Sequence, residues 1–172
     1  SLAEIFDERL TIDDLIKRYR EQTPRKSLKD VILEMEDEVL ANAGVDVFEE
    51  VFKLIFTKLY DEWASGNDRK RYLEFRNTDT ESDLRRRIQG LFDHAKQKWE
   101  GVFAEDEQIK LSGSHLLVCV SYLENEKLFN TNLEVIDEAF EYLINQSSKG
   151  EKGQYFTPRY VIDMCVKMLN PK

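Results

Sequence analysis

The chain has 172 residues and a formal net charge of −9, from 34 acidic against 25 basic side chains. That balance argues against a generic nucleic-acid coat, because neutralising phosphates takes a basic surface. The length suits one domain, or one domain and part of another, and the 41 % of hydrophobic residues can fill a real core.

Only 7 glycines and 3 prolines punctuate the sequence, which predicts long helices. Cys119 and Cys165 both lie among apolar neighbours and read as small buried hydrophobes rather than a disulfide framework. The N-terminus, Ser-Leu-Ala-Glu-Ile-Phe-Asp-Glu, is too acidic for a signal or transit peptide. No stretch approaches the roughly 20 apolar residues of a membrane span. Together these features predict a cytoplasmic protein with no membrane partner. The chain opens without methionine and stops at Asn170-Pro171-Lys172, which predicts a piece of something longer.

In chain order, Thr11-Ile12-Asp13-Asp14 reads as a capping box with Asp in the place of Glu, opening a helix to about Glu21. Thr23-Pro24 breaks it. A second helix is predicted from about Ser27 to Ala43, with Leu28, Val31, Ile32, Met35, Val39 and Leu40 at helical spacing and Gly44 as its terminator. Residues 46 to 64 form the most apolar helix. Its stripe, including Val51, Phe52, Ile55, Phe56, Leu59 and Trp63, wraps more than half the circumference, so this helix is predicted to be the centre of a bundle.

Ser65-Gly66-Asn67-Asp68 reads as a turn. Residues 69 to 80 fit either a short extended segment or a helical turn. The next helix is predicted from about Ser82 to Glu100, with Leu84, Ile88, Leu91, Phe92, Ala95 and Trp99 on one face. Arg85, Arg86 and Arg87 fall in its first turns, where cations oppose the helix dipole. They need another reason to be there, either acidic neighbours on a solvated face or a phosphate partner. An acidic connector over 101 to 111 leads to a helix capped by Ser112 or Ser114 and ending near Leu123. A further helix is predicted from Leu133 to Asn145, and a last one from Pro158 to about Leu169. About seven helices and no convincing strand predict an all-α multi-helix bundle.

The chemistry-bearing signatures are mostly absent. His94 and His115 lie far apart with no cysteine at zinc spacing. No phosphate-cradling Gly-x-x-x-x-Gly-Lys, no Gly-x-Gly-x-x-Gly and no Gly-x-Ser-x-Gly elbow occurs. The many carboxylates fall on helix faces with Lys and Arg nearby and read as solvated charge. No constellation in these residues is equipped to carry out a reaction alone.

One stretch differs in character. A polar loop with Ser147, Ser148, Gly150 and Gly153 runs into Tyr155 and Phe156, then into Thr157 as a helix cap and Pro158 at the first helical position. Adjacent aromatics beside an open helix N-terminus suit a flat, partly anionic ligand, and equally suit two core anchors ahead of a capped helix.

The run Gly150-Glu151-Lys152-Gly153-Gln154-Tyr155-Phe156-Thr157-Pro158-Arg159, followed by an apolar helix and Leu169-Asn170-Pro171, closely resembles the start of the methyltransferase domain in modification subunits of type I restriction-modification systems. The segments Val135 to Ile144 and Phe48 to Asp61 are similar to that family's helices further upstream. The resemblance implies an N6-adenine DNA methyltransferase that uses S-adenosylmethionine. It implies an N-terminal helical domain over 1–148 and the start of an α/β methyltransferase domain, truncated, over 149–172.

Carried over residue by residue, the resemblance assigns Gln154, Tyr155, Phe156, Thr157, Pro158 and Arg159 to one edge of the cofactor site, beside the methionine moiety. The family's glycine-rich cofactor loop and its Asn-Pro-Pro-aromatic catalytic run do not occur here, so no catalytic residue is assigned, the cofactor site is incomplete, and the chain alone is expected to be inactive. The implied partners are DNA and the specificity and restriction subunits of the same system. Arg85, Arg86 and Arg87 are the DNA-facing candidates. The competing reading is a non-catalytic helical adaptor for protein interaction.

Overall fold

The computed structural model describes residues 9–39, 44–77, 80–129, 138–143 and 145. Five helices are traced end to end: α1 (Ile12–Glu21), α2 (Leu28–Glu38), α3 (Val47–Asn67), α4 (Glu81–Lys98) and α5 (Gly113–Leu123). A sixth helical stretch, α6, covers 138–143. Among the described residues there is no strand, and the all-α expectation holds. No described helix is long and apolar enough to cross a membrane.

Four helix starts are set by hydroxyl caps. Thr11, Ser27, Thr80 and Ser112 each accept the backbone N–H three residues on, from Asp14, Asp30, Asp83 and His115. At Thr11 the box closes in both directions, because the Asp14 carboxylate accepts the Thr11 N–H at 2.9 Å. Each such cap is worth about 1 kcal/mol.

Helix α3 is the centre. It packs on α4 and α1, α4 packs on α5, and α5 on α2. Phe52 and Phe56 are fully buried. The Phe56 ring meets Phe103 at 5.2 Å, Trp99 at 5.5 Å and Phe92 at 6.0 Å between centroids, in tilted or edge-on geometry that suits the ring quadrupoles. Phe52 meets Phe140 of α6 at 5.6 Å. A smaller cluster of Leu10, Ile12, Leu15 and Leu73 seats α1, helped by the Leu73 N–H donating to the Leu10 carbonyl at 2.7 Å.

The structure corrects three boundaries. Helix α3 continues through Ser65 and Gly66 to Asn67, where a turn was expected. Helix α2 ends at Glu38, with Val39 as its cap, so Gly44, at φ +69°, lies beyond its end and does not terminate it. Helix α4 stops at Lys98 and leaves through Gly101, whose φ of +89° only glycine adopts without strain. Residues 133–137 and 144 of the helix predicted from Leu133 to Asn145, and the whole predicted last helix, lie outside the described residues.

A fourth correction concerns charge. The carboxylates of α3 do not form a solvated face. Glu50, Asp61 and Glu62 are each 1 % exposed, as buried as the phenylalanines beside them. A helix enclosed on most sides has no solvent face left for them, so each must be paired or hydrogen-bonded.

Candidate functional site

The three buried carboxylates of α3 share one device. Each accepts two consecutive main-chain N–H groups from a connecting loop and pairs with a cation. Glu50 Oε1 takes the N–H of Lys110 at 2.5 Å and of Leu111 at 3.1 Å, while its Oε2 meets Lys53 Nζ at 2.7 Å. Asp61 Oδ2 takes the N–H of Glu74 at 3.0 Å and of Phe75 at 2.8 Å, with Arg71 on Oδ1 at 2.7 Å. Glu62 Oε1 takes the N–H of Leu128 and of Phe129, each at 3.0 Å, and Lys127 and Lys58 lie at 3.1 and 3.3 Å from the carboxylate. Two consecutive backbone donors in each of the irregular segments 71–77, 107–111 and 127–129 are thus satisfied by side chains of the core helix.

Lys53, fully buried, is held on the same principle from the other sign. It donates to the Gln108 carbonyl at 2.8 Å and pairs with Glu107 at 2.7 Å. Burial disfavours its charge, but hydrogen bonds to Glu107 and Glu50 outweigh it and raise its pKa above the usual 10.5. The carboxyl of Glu107 is correspondingly lowered, chiefly by its hydrogen bond from Lys53.

Helix α6 docks onto α2. The Tyr142 hydroxyl donates to Glu36 Oε2 at 2.5 Å, and Lys29 lies 3.9 Å from Glu138. Ala139, Phe140 and Leu143 of α6 are buried in the main core. Loop 127–129 and helix α6 therefore bracket residues 130–137 with two fixed attachments to the body of the bundle.

The three arginines of the 85–87 run separate into two kinds. Arg85 donates to the carbonyls of Leu111 and Ile109. Arg87 donates to the carbonyls of Glu74, at 2.9 Å, and Arg76. These two guanidinium groups lace the loops on either side onto α4. Arg86 is 77 % exposed and pairs with Asp83. Cations at this helix start oppose the dipole, and main-chain carbonyls account for two of the three.

A cleft of about 620 Å³ opens at the end of α4. Asp93, Glu100, Glu105 and Asp106 line it, and Lys96 crosses its wall to the carbonyls of Glu105 and Glu107 at 2.9 and 2.6 Å. Its acidity disfavours any phosphate-bearing ligand. Cys119 is fully buried, and burial pushes its thiol up to about 12, so it is an inert core side chain. Among the described residues no group of three or more His, Cys, Asp and Glu side chains is arranged to hold a metal ion.

The expected cofactor edge, Gln154, Tyr155, Phe156, Thr157, Pro158 and Arg159, lies outside the described residues, as does Cys165. The attachments formed by Glu62 and Glu36, on the route to that edge, were not foreseen. For Glu62 a signal was present: the apolar stripe of its helix wraps more than half the circumference, which leaves little solvent face for a carboxylate.

Comparison with known proteins bears on the C-terminal part. The model of the N-6 DNA methylase family matches residues 131–172. No curated protein and no solved structure matched the chain. The matched segment begins two residues after Phe129, the last residue gripped by Glu62, and includes α6 and the Gln154–Arg159 run. Residues 131–172 are therefore similar to the N-6 DNA methylase family.

Proposed function

We propose that the chain is the N-terminal part of the modification subunit of a type I restriction-modification system, an N6-adenine DNA methyltransferase acting with S-adenosylmethionine. The observation that carries this reading is the family match at 131–172, which spans the Gly150–Arg159 run and the Leu169-Asn170-Pro171 sequence that resemble the start of the catalytic domain.

In this reading residues 1–148 are the helical domain, which contacts the specificity subunit and helps close around DNA, with the restriction subunit a further partner of the same system. Residues 149–172 begin the catalytic domain. S-adenosylmethionine supplies the methyl group when bound. This chain contributes one edge of its site through Gln154, Tyr155, Phe156, Thr157, Pro158 and Arg159. The sequence predicts a helix opening at Pro158, and the free N–H groups and positive dipole of such a helix suit the cofactor's carboxylate, as does a hydroxyl at Thr157. An aromatic face at Tyr155 or Phe156 suits a sulfonium cation. Neither the family's glycine-rich loop nor its Asn-Pro-Pro-aromatic run occurs in the 172 residues, so these residues alone give no turnover. Arg86, with its guanidinium toward solvent, is the member of the arginine run free of loop carbonyls and fits a DNA-facing role best.

The test is transfer of labelled methyl from S-adenosylmethionine to duplex DNA by the gene product that carries this chain, with the modified base identified by mass spectrometry. The reading predicts N6-methyladenine, and a loss of at least about tenfold in rate for the Tyr155→Ala, Phe156→Ala double variant, equal to about 1.4 kcal/mol of transition-state free energy. Modified cytosine, or transfer indifferent to the double substitution, counts against it.

A further inference from the structure

The strongest concentration of positive charge lies at neither the arginine run nor the cofactor edge. Residues 17 to 29, Lys-Arg-Tyr-Arg-Glu-Gln-Thr-Pro-Arg-Lys-Ser-Leu-Lys, hold six cations and one acid, Glu21. This stretch is therefore +5 in a chain of −9, which leaves the other 159 residues at −14. A local reversal of that size is a feature of the surface rather than a fluctuation in composition.

The fold turns the stretch outward. Lys17 and Arg20 are one turn apart on the exposed face of α1, opposite buried Ile12 and Leu15. Arg25 and Lys26 are exposed on the connection to α2. Arg25 stacks on the ring of Tyr19, with its guanidinium carbon 3.8 Å from the centroid, which ties the connection back onto the last turn of α1. That stacking leaves the guanidinium edge and its N–H groups available to an acceptor.

No carboxylate among the described residues forms an ion pair with Lys17, Arg20 or Arg25. Lys26 pairs with Glu34 at 2.6 Å, with side chains 61 % and 45 % exposed, a screened contact that a phosphate can replace. The contrast with α4 is direct, because Arg85 and Arg87 spend their N–H groups on main-chain carbonyls. Cations in the last turn of α1 do complement its dipole. That accounts for Arg18 and Arg20, while Lys17 and Arg25 meet the carboxyls of Asp14 and Glu126 only at longer range than an ion pair and Lys26 has its exposed contact with Glu34.

We infer that the end of α1 and its connection to α2, presenting Lys17, Arg20, Arg25 and Lys26, form a surface that binds the phosphate backbone of duplex DNA. The occupant follows from the proposed function, on which this inference rests: the substrate of a DNA methylase is the polyanion at hand. The surface has four point contacts and no base-reading element, so it positions the duplex without reading its sequence. The acidic remainder of the chain repels the duplex and restricts its approach to this face.

The test is fluorescence anisotropy with a labelled 20-base-pair duplex of arbitrary sequence, titrated with the full chain over a range of salt concentrations. The wild type binds, and its affinity falls as salt rises. The Lys17→Ala, Arg20→Ala, Arg25→Ala, Lys26→Ala variant loses at least about tenfold in affinity at low salt, and its log–log salt slope flattens by up to about 0.9 for each contact removed. The milder Lys17→Gln, Lys26→Gln variant, which touches no buried group, flattens the slope by roughly half as much. Circular dichroism melting confirms that each variant is folded.

Absence of wild-type binding overturns the inference, as does a fourfold variant with wild-type affinity and slope. If the patch variants bind normally while the Tyr155→Ala, Phe156→Ala variant loses methyl transfer, the surface is wrongly assigned and the methylase reading stands.

Discussion

The carboxylate of Glu62 accepts the main-chain N–H of Leu128 at 3.0 Å, which fastens the last third of the core helix to the loop just ahead of the segment that matches the N-6 DNA methylase model. Glu62 has no exposure to relax into, and Lys58 and Lys127 both depend on its charge. Glu62→Ala is predicted to lower the unfolding free energy by about 3–5 kcal/mol, because it strands two partly or fully buried cations and two N–H groups. Urea denaturation measures this. Hydrogen exchange at the Leu128 and Phe129 amides is predicted to quicken more than at amides of α4. A loss below about 1 kcal/mol, the range of exposed ion pairs, contradicts the account of this pair.

Phe56 is where the aromatic core converges, against Phe92, Trp99 and Phe103. Phe56→Ala is predicted to cost about 3–5 kcal/mol, from lost burial plus an unfilled cavity. Phe56→Leu keeps most of the volume and is predicted to cost less than half of that. Equal losses for the two variants contradict a close-packed ring cluster.

Glu36 gives a pH signature. Its Oε2 accepts the Tyr142 hydroxyl, and its Oε1 is buried without a hydrogen-bond partner among the described residues. Burial raises its pKa above the ordinary 4.5, Tyr142 opposes that, and the charge of Asp37 adds to it. Glu36 therefore binds its proton more tightly in the folded state than in the unfolded. Its contribution to stability is full below 4.5 and is lost as the pH rises through the raised folded value. Glu36→Gln keeps an acceptor for Tyr142 and removes the titration. The variant is predicted to equal or exceed the wild type in urea midpoint near pH 7, with the gap closing near about pH 4. A variant weaker at neutral pH than at acid pH contradicts the sign.

Arg87 and Arg86 are adjacent and predict opposite behaviour. Arg87→Ala removes donors to the Glu74 and Arg76 carbonyls and is predicted to cost about 1–2 kcal/mol, with faster exchange in 74–76. Arg86→Ala removes an exposed pair with Asp83 and is predicted to change stability by less than about 0.5 kcal/mol. Thermal unfolding of the two variants separates them.

Most of the bundle was legible because helical periodicity and capping chemistry are local. Thr11 and Ser112 stand where their hydroxyls reach the third N–H, and the Phe52–Phe56–Leu59 stripe announces the central helix. The chemistry of residues 71–77 and 107–111 was not legible, because their backbone partners are Asp61 and Glu50, 13 and 60 residues away in sequence. Periodicity says nothing of such contacts. The same limit hid the partners of Arg85 and Arg87, which composition alone left open between solvent and phosphate. The candidate site was legible only through the Gln154–Arg159 run, whose residue types and cap fit a cofactor edge and an ordinary capped helix alike.

Gln154 to Arg159 are proposed as one edge of an S-adenosylmethionine site. Titrating isotope-labelled chain with S-adenosylmethionine, and following each backbone amide by NMR, tests it most directly. Shifts confined to the backbone amides of residues 153–160, Pro158 having none, and no saturation below roughly millimolar ligand are expected, equivalent to a binding free energy no better than about −4 kcal/mol. Shifts that arise elsewhere in the bundle, none at all, or saturation at micromolar ligand would contradict it.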